Sequence, residues 1–188
     1  MHLILLSLVR DALTALLILN PDAFAGPEGA DRAELHVDAA EYAAKEVDDP
    51  RITPSLLLAM ARVESNYDPT ATSRMVNGVR VTGMWRSTRP TGHGKRFCGP
   101  LQTIAGDRWV DCLAQRDLYV GYLTGAKEMV FWLGAAERYR VPGDRLRAAL
   151  RGHGCGIYGF RGPCNRYDVR VLRERARLEK LVQGGHLN

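Results

Sequence analysis

The sequence predicts a single, mostly helical domain that carries a small β-hairpin. A chain of 188 residues has room for one domain with a sizeable core, and its composition, 46% hydrophobic and 25% charged, is that of a globular protein. Val76-Asn77-Gly78-Val79 has the composition of a tight turn between two short strands. Apolar residues at helical spacing predict helices over residues 33–48, Pro54–Ser65, Asp117–Arg138, Asp144–Arg151 and Asp168–Val182.

The helix over Pro54–Ser65 has the clearest boundaries. Thr53 can cap its N-terminus, and a proline at the first helical position loses only an amide hydrogen that would have no helical partner. Asn66-Tyr67-Asp68-Pro69 ends it. By contrast, Arg86–Arg96 is rich in Gly, Pro and Arg, and residues 152–166 are rich in Gly and Cys, so both are predicted loops.

The first 25 residues have the pattern of a secretory signal. Two apolar runs, Leu3–Leu8 and Ala12–Leu19, precede Ala23-Phe24-Ala25, which is typical of a cleavage site. Arg10-Asp11 interrupts the apolar stretch, which is unusual for a signal core. An uncleaved anchor is the alternative, although the uninterrupted run is short for a hydrocarbon layer of about 30 Å.

A cleaved signal over residues 1–25 leaves a linker over 26–32 and one domain over 33–188. The chain would then be exported to the periplasm or cell envelope. The net charge of +5 and pI of about 9.2 fit an acidic polymer such as the bacterial wall or a nucleic acid, and an ordinary solvated surface is the simpler alternative. Because the basic residues are dispersed and no recognition motif accompanies them, we do not expect nucleic-acid binding.

Four cysteines are consistent with an oxidising compartment: Cys98, Cys112, Cys155 and Cys164. They lack the C-x-x-C spacing of zinc sites, so neither a metal nor a cofactor is expected. Two disulfides could form in three ways. We prefer the local pairing, Cys98–Cys112 and Cys155–Cys164, which closes two short loops; four free thiols in a cytosolic protein are the alternative.

Glu64 is the candidate catalytic acid. The residues three, four and seven positions before it are Ala61, Met60 and Leu57, so it continues the apolar stripe of its helix. Apolar neighbours, removal from water and the negative end of the helix would all disfavour its ionised form. A carboxyl group that stays protonated near neutral pH can protonate the departing oxygen of a glycosidic bond. A core ion pair with an arginine is the structural alternative.

The residues around Glu64 resemble the signature of the soluble lytic transglycosylase (SLT) family, in which a helix ending in Glu-Ser is followed by an aromatic residue, Pro, Ala and Ser. Gly99-Pro100-Leu101-Gln102 is similar to the family block Gly-Leu-Met-Gln, and Val120–Ala126 is similar to its helix with spaced glycines. His153-Gly154-Cys155-Gly156 stands where the family usually has Tyr-Asn-x-Gly, and Tyr167 where it has an aromatic before a basic helix. The resemblance covers roughly residues 50–175.

The resemblance implies a mostly α, lysozyme-like (α+β) fold and a lytic transglycosylase, a carbon-oxygen lyase acting on peptidoglycan. Glu64 would protonate the leaving oxygen of the MurNAc–GlcNAc β-1,4 bond. It would then help the MurNAc C6 hydroxyl attack C1, giving 1,6-anhydroMurNAc ends. We find no second acid in a convincing motif. The alternatives are a hydrolysing muramidase of the goose-type or endolysin kind, and an inactive glycan-binding or secretion-apparatus protein of the same fold.

The expected partner is the peptidoglycan glycan strand. We expect the protein to be a monomer with at most peripheral contact with the envelope. The resemblance implies contacts with the substrate or support of the cleft at five residues: Ser65, Ser73, Gln102, His153 and Tyr167. Among the tryptophans, Trp85 is the best candidate to stack on a sugar because it lies in the long loop.

The segment from Arg74 to Cys98 is longer than the short hairpin usual at this place in the family, and it is rich in basic residues. We predict that it attracts the anionic wall polymer or narrows the substrate groove. A surface elaboration without function is the alternative.

Overall fold

The described residues form packed helices and one small four-stranded sheet. The structure is a computed structural model that describes residues 2–76, 79–82, 96–104, 109–162 and 166–184. The helices are α1 (His2–Leu19), α2 (Gly29–Val47), α3 (Pro54–Ser65), α4 (Trp109–Ala114), α5 (Leu118–Arg138), α6 (Arg145–Cys155) and α7 (Tyr167–Gly184). The strands are β1 (Thr72–Val76), β2 (Val79–Thr82), β3 (Arg96–Cys98) and β4 (Thr103–Ile104), and a 3₁₀ helix spans Gly156–Phe160.

The predicted fold class, one mostly helical domain with a β excursion, is confirmed, and the sheet is larger than a hairpin. Strands β1 and β2 form the predicted antiparallel pair, with Val76 opposite Val79. Strand β3 pairs with the other edge of β1, and β4 pairs with β3, which gives the order β2-β1-β3-β4. Strand β3 begins at Arg96, the last residue of the segment predicted as a loop. Strands of two or three residues are too short to show an alternating pattern in the sequence.

Helix α3 has the bounds that its capping residues predict. The Thr53 hydroxyl oxygen accepts from the backbone N–H of Leu56 at 3.2 Å. At the other end Asn66 adopts a left-handed φ of 56° and its backbone N–H donates to carbonyls of the last turn. Every residue from Leu56 to Ala61 is buried, because α3 packs against α2 and α7. The last turn of α3, which carries Glu64, is therefore held on a core element.

Helices α2 and α6 extend four residues beyond their predicted bounds, α7 extends by one or two residues at each end, and α4 was not predicted. Helix α2 begins at Gly29, inside the predicted linker, and α6 continues to Cys155, through part of the predicted loop. The sequence from Gly152 onward has low helix propensity, but packing overrides it. A Cβ at Gly152 would lie 2.5 Å from the ring of Trp132, so glycine allows α6 to pack closely on α5.

Helix α1 and the turn after it pack into the core. Leu16 is fully buried, and α1 contacts α2 and α7. The side chain of Asn20 donates to the Leu16 carbonyl at 3.1 Å and closes the end of the helix. Phe24 is also buried, with its ring centroid 5.0 Å from that of Tyr67. Residues of the predicted signal thus complete the apolar core of the 188-residue chain.

Cleavage of residues 1–25 as a signal, and the domain bounds that follow from it, remain predictions. Among the described residues, no helix combines the length and the apolar character needed to cross a membrane. The linker over 26–32 is shorter than predicted, since its last four residues are helical.

The packing of α1 can be tested in the chain that retains residues 1–25. Leu16→Ala should lower the free energy of unfolding by about 2–5 kcal/mol, because it leaves a cavity in a packed core. Ile18, two residues later, is 61% exposed, so Ile18→Ala should change this free energy by less than about 1 kcal/mol. Urea unfolding followed by circular dichroism measures both. Equal effects at the two positions would contradict the packing of α1 described here.

Candidate active site

The carboxyl group of Glu64 lies beneath the surface, in the last turn of α3. It follows the buried residues Leu57, Met60 and Ala61 along the helix, and its side chain is only 2% exposed. Its Oε1 atom lies 3.6 Å from Nε2 of His153 in α6. One neighbour of the candidate acid is therefore a histidine of another helix.

His153 lies between two carboxyl groups. Nε2 faces Glu64, and Nδ1 lies 3.4 Å from Oε1 of Glu128 in α5. Burial of the imidazole acts to lower its pKa, but its contacts with the carboxyl groups of Glu128 and Glu64 outweigh this effect and raise the pKa to about 10. The imidazole is therefore protonated at neutral pH, and both ring nitrogens are donors.

Glu128 is oriented by Trp132, which lies four residues later on α5. The indole Nε1–H donates to Oε1 of Glu128 at 3.2 Å. The Trp132 ring packs edge-on against Phe131 and Phe160, with centroids 5.1 and 5.7 Å away, and it also packs against the apolar core. This packing fixes the indole and with it the position of the Glu128 carboxyl group beside His153.

Tyr167, the first residue of α7, packs beside His153. Tyr167 is buried, and its ring centroid lies 5.6 Å from that of the imidazole. A Cβ at Gly154 would lie 3.0 Å from the tyrosine ring, closer than ordinary contact. Glycine at this position therefore lets α6 and Tyr167 approach each other.

Ser65 joins the end of α3 to the turn over Gly99–Gln102. Its hydroxyl lies 2.8 Å from the carbonyl oxygen of Pro100 and 3.1 Å from that of Ala61, and it donates to both oxygens. The serine that follows the candidate acid thus holds the turn against the helix end.

Gln102 is buried, and its side-chain amide stabilises the same turn. Nε2 donates to the carbonyl of Ala71 at 2.8 Å and to that of Gly99 at 3.0 Å. The backbone φ of Gln102 is 46°, a left-handed conformation that is costly for a residue other than glycine and that these bonds maintain. Of the two roles considered for Gln102, support of the cleft wall is the one that this geometry favours.

Two glycines of α5 let this turn pack closely on the helix. A Cβ at Gly121 would lie 2.7 Å from the Pro100 ring, and a Cβ at Gly125 would overlap the side chain of Leu101, which is fully buried. The spaced glycines of α5 and the Gly99–Gln102 block are distant in sequence, but they form the two sides of one contact.

The predicted disulfide between Cys98 and Cys112 is present and links β3 to α4. Cys155, the last residue of α6, is also disulfide-bonded. Its predicted partner, Cys164, lies outside the described residues. Such a crosslink in general adds about 2–4 kcal/mol to the free energy of unfolding. Here it ties down the strand that leads into the Gly99–Gln102 turn.

Two predicted substrate contacts belong to the segment between α3 and the turn. Ser73 lies in β1, where its backbone pairs with Thr82 on one side and Phe97 on the other. Trp85, with the rest of the basic segment over residues 83–95, lies outside the described residues. The remaining four candidates fall into two groups. His153 and Tyr167 lie around the acid, and Ser65 and Gln102 lie at the turn.

Glu128 is the site residue that the sequence did not predict. It lies inside a predicted helix without a motif around it, and its one local signal is an aromatic residue four positions later on the same face. Its contact with His153 joins residues on two different helices, so it depends on how α5 packs on α6.

Residues 41–99 match the family described as the transglycosylase SLT domain. The match runs from α2 through Glu64 to the start of the turn and covers about a third of the chain. Proteins of that family are transglycosylase-type enzymes that act on peptidoglycan outside the cytoplasm, and their domain is lysozyme-like. No curated protein and no solved structure matches the chain.

The contact between α5 and the turn can be tested with two glycines of one helix. Gly125→Ala should lower the free energy of unfolding by about 1–3 kcal/mol, because the added methyl group overlaps Leu101. Gly134 has open space around its Cβ position, so Gly134→Ala should raise this free energy by up to about 1 kcal/mol through helix propensity. Thermal unfolding of both variants measures these changes in the free energy of unfolding. A neutral Gly125→Ala variant would show that the turn does not rest on α5.

Proposed function

We propose that the chain is a peptidoglycan lytic transglycosylase in which Glu64 is the single catalytic acid. The observation that carries this proposal is a carboxyl group buried at the end of a core helix, inside the matched SLT region and in contact with His153. A transglycosylase needs one group that gives up a proton and then takes one back.

The proposed reaction uses Glu64 twice. The protonated carboxyl group donates its proton to the oxygen that joins MurNAc C1 to GlcNAc, and the bond between C1 and that oxygen breaks. The MurNAc C6 hydroxyl then bonds to C1 and transfers its proton to the Glu64 carboxylate. The product ends in 1,6-anhydroMurNAc, no water is consumed, and the acid returns to its starting state.

Two acids near Glu64 do not supply the second carboxylate of an ordinary glycosidase. Glu128 lies on the opposite side of the imidazole, since it contacts Nδ1 whereas Glu64 contacts Nε2. Asp68 is exposed and accepts from the backbone N–H and the hydroxyl of Thr70, at 2.8 and 2.7 Å. That pattern is typical of a turn cap, and it supports the one-acid scheme.

The other site residues have supporting roles in this proposal. His153 and Tyr167 shape the site around the acid, while Ser65 and Gln102 hold the cleft wall. Ser73 and Trp85 would contact the glycan from the β1 side. We also propose that the enzyme is an exported monomer that acts in the periplasm or at the envelope, where its basic surface attracts the wall polymer.

The role of Glu64 is tested by Glu64→Gln, which keeps the shape of the side chain and removes the proton donor. Clearing of purified peptidoglycan should fall by about 10²–10⁴-fold, with the far-UV circular dichroism unchanged. Asp68→Asn is the matched control, because it alters an exposed acid four residues after Glu64 in the sequence and should leave the rate within about twofold. A Glu64→Gln variant with the wild-type rate would rule out the proposed mechanism.

A further inference from the structure

The last helix, α7, has a line of exposed basic residues on the side that faces solvent. Its opposite side, which includes Val171 and Leu178, is buried, and α7 contacts α1, α3 and α6. Residues spaced by three and four positions lie in line along a helix. The exposed cations have this spacing, and the first of them immediately precedes the helix: Arg166, Arg170, Arg173, Arg177 and Lys180. We call these five side chains the α7 basic face; its helical part, from Arg170 to Lys180, is about 15 Å long.

The α7 basic face has a net positive charge. All three acids of α7 lie 2.7 to 3.9 Å from an arginine: Asp168 from Arg147, Glu174 from Arg177 and Glu179 from Arg175. Of these arginines only Arg177 belongs to the face, and its ion pair is exposed and therefore weak. No carboxyl group of the described residues lies within ion-pair distance of the other four cations. Like charges at neighbouring helical positions repel each other, so an anionic partner along the face would relieve this repulsion.

The α7 basic face begins beside the candidate acid. Tyr167, the first residue of α7, packs against His153, whose Nε2 lies 3.6 Å from Oε1 of Glu64. The guanidinium carbon of Arg170 lies 6.0 Å from the centroid of the Tyr167 ring. The face therefore starts at the site and follows α7 away from it. A long ligand that occupies the site can also contact this face.

The chemistry of the face favours carboxylates on a polymer over a membrane surface. Four of its five cations are arginines, whose planar guanidinium groups bind a carboxylate through two parallel hydrogen bonds. A helix that adsorbs to a membrane needs a large apolar face beside its charges. In α7 the exposed side chains that are apolar are only Val169 and Ala176. The continuity of the face with the candidate acid favours the polymer that this acid would cleave.

We propose that the α7 basic face binds the carboxylates of the peptide stems that peptidoglycan carries on its MurNAc sugars. The preferred substrate is then a glycan strand with its acidic stems in place. This inference rests on the proposed function. Because the stems recur along the strand, a strand held at Glu64 presents carboxylates repeatedly along its length. The cations of the face make and break no bond; they hold the strand in place for cleavage.

The test replaces three cations of the face together, as Arg170→Gln, Arg173→Gln and Lys180→Gln. The full-length chain also carries Glu64→Gln, so that bound strands stay intact. Binding is measured on soluble strands that bear peptide stems and on the same strands after an amidase has removed the stems. The affinity for stem-bearing strands should fall by roughly tenfold, and its dependence on salt should weaken. The affinity for stem-free strands should change by less than about twofold, since neutral sugars offer the cations no charge.

Two further variants separate charge from structure. Lys45→Gln, Lys127→Gln and Arg138→Gln remove the same charge from exposed positions of α2 and α5. They should leave both affinities within about twofold, because charges distant from the bound strand are screened by salt. Arg170→Lys with Arg173→Lys keeps the charge of the face and should retain most of the binding to stem-bearing strands. Circular dichroism shows whether each variant is folded. If the triple variant of the face is not, Arg173→Gln alone should give a smaller loss in the same direction.

Four results would overturn the proposal. These are an unchanged affinity for stem-bearing strands, equal losses on strands with and without stems, an equal loss in the control triple variant, and a Lys variant that binds as weakly as the Gln variant. Tighter binding to a DNA duplex, or to vesicles of anionic phospholipid, than to stem-bearing strands would also overturn it, because the face would then serve a different partner.

The two proposals fail differently. A wild-type chain that releases no fragments from peptidoglycan would refute the proposed function, and the binding measurements would still decide whether the face recognises the stems. An active wild-type chain whose affinity does not depend on the stems would refute this inference and leave the proposed function in place.

Discussion

A carboxyl group placed in a protein core needs a partner, since an isolated buried charge costs several kcal/mol. Glu64 lies in the last turn of a helix whose residues Leu56–Ala61 are all buried, so the surrounding helices must bring a group to it. One such group is His153, and its position depends on close packing on either side. Gly152 lets α6 approach Trp132, and Gly154 lets it approach Tyr167. The contact between Glu64 and His153 is the interaction on which the arrangement of α3, α5, α6 and α7 depends.

The same constraint concerns His153, which stands where the resemblance to the SLT family implies a tyrosine. A residue that contacts a buried acid sets how readily that acid holds its proton. A tyrosine there would be neutral, whereas the protonated imidazole of His153 brings a positive charge between the carboxyl groups of Glu64 and Glu128. The site therefore places the candidate acid beside a histidine that also contacts a second carboxyl group, from α5.

The sequence predicted the parts of the fold that depend on local chemistry. The bounds of α3 follow from Thr53 and Asn66, the pairing of β1 with β2 follows from its turn, and the Cys98–Cys112 disulfide joins residues close in sequence. The predictions from sequence failed where packing between distant residues determines the structure. The extension of α6 through Gly152 opposes helix propensity. Strands β3 and β4 are too short to show an alternating pattern. Glu128 belongs to the site only because α6 packs on α5 and brings His153 to it. The sequence also did not predict the core contacts of α1, because an apolar segment followed by a cleavage pattern is typical of a secretory signal.

The central claim is that Glu64 alone, first as acid and then as base, breaks the glycan without water. Mass spectrometry of the fragments that the wild-type chain releases from purified peptidoglycan tests this claim most directly. The mechanism predicts 1,6-anhydroMurNAc ends, formed at a rate that Glu64→Gln abolishes. Fragments with reducing MurNAc ends would mean that water attacks C1, and they would contradict the transglycosylase mechanism in favour of a muramidase.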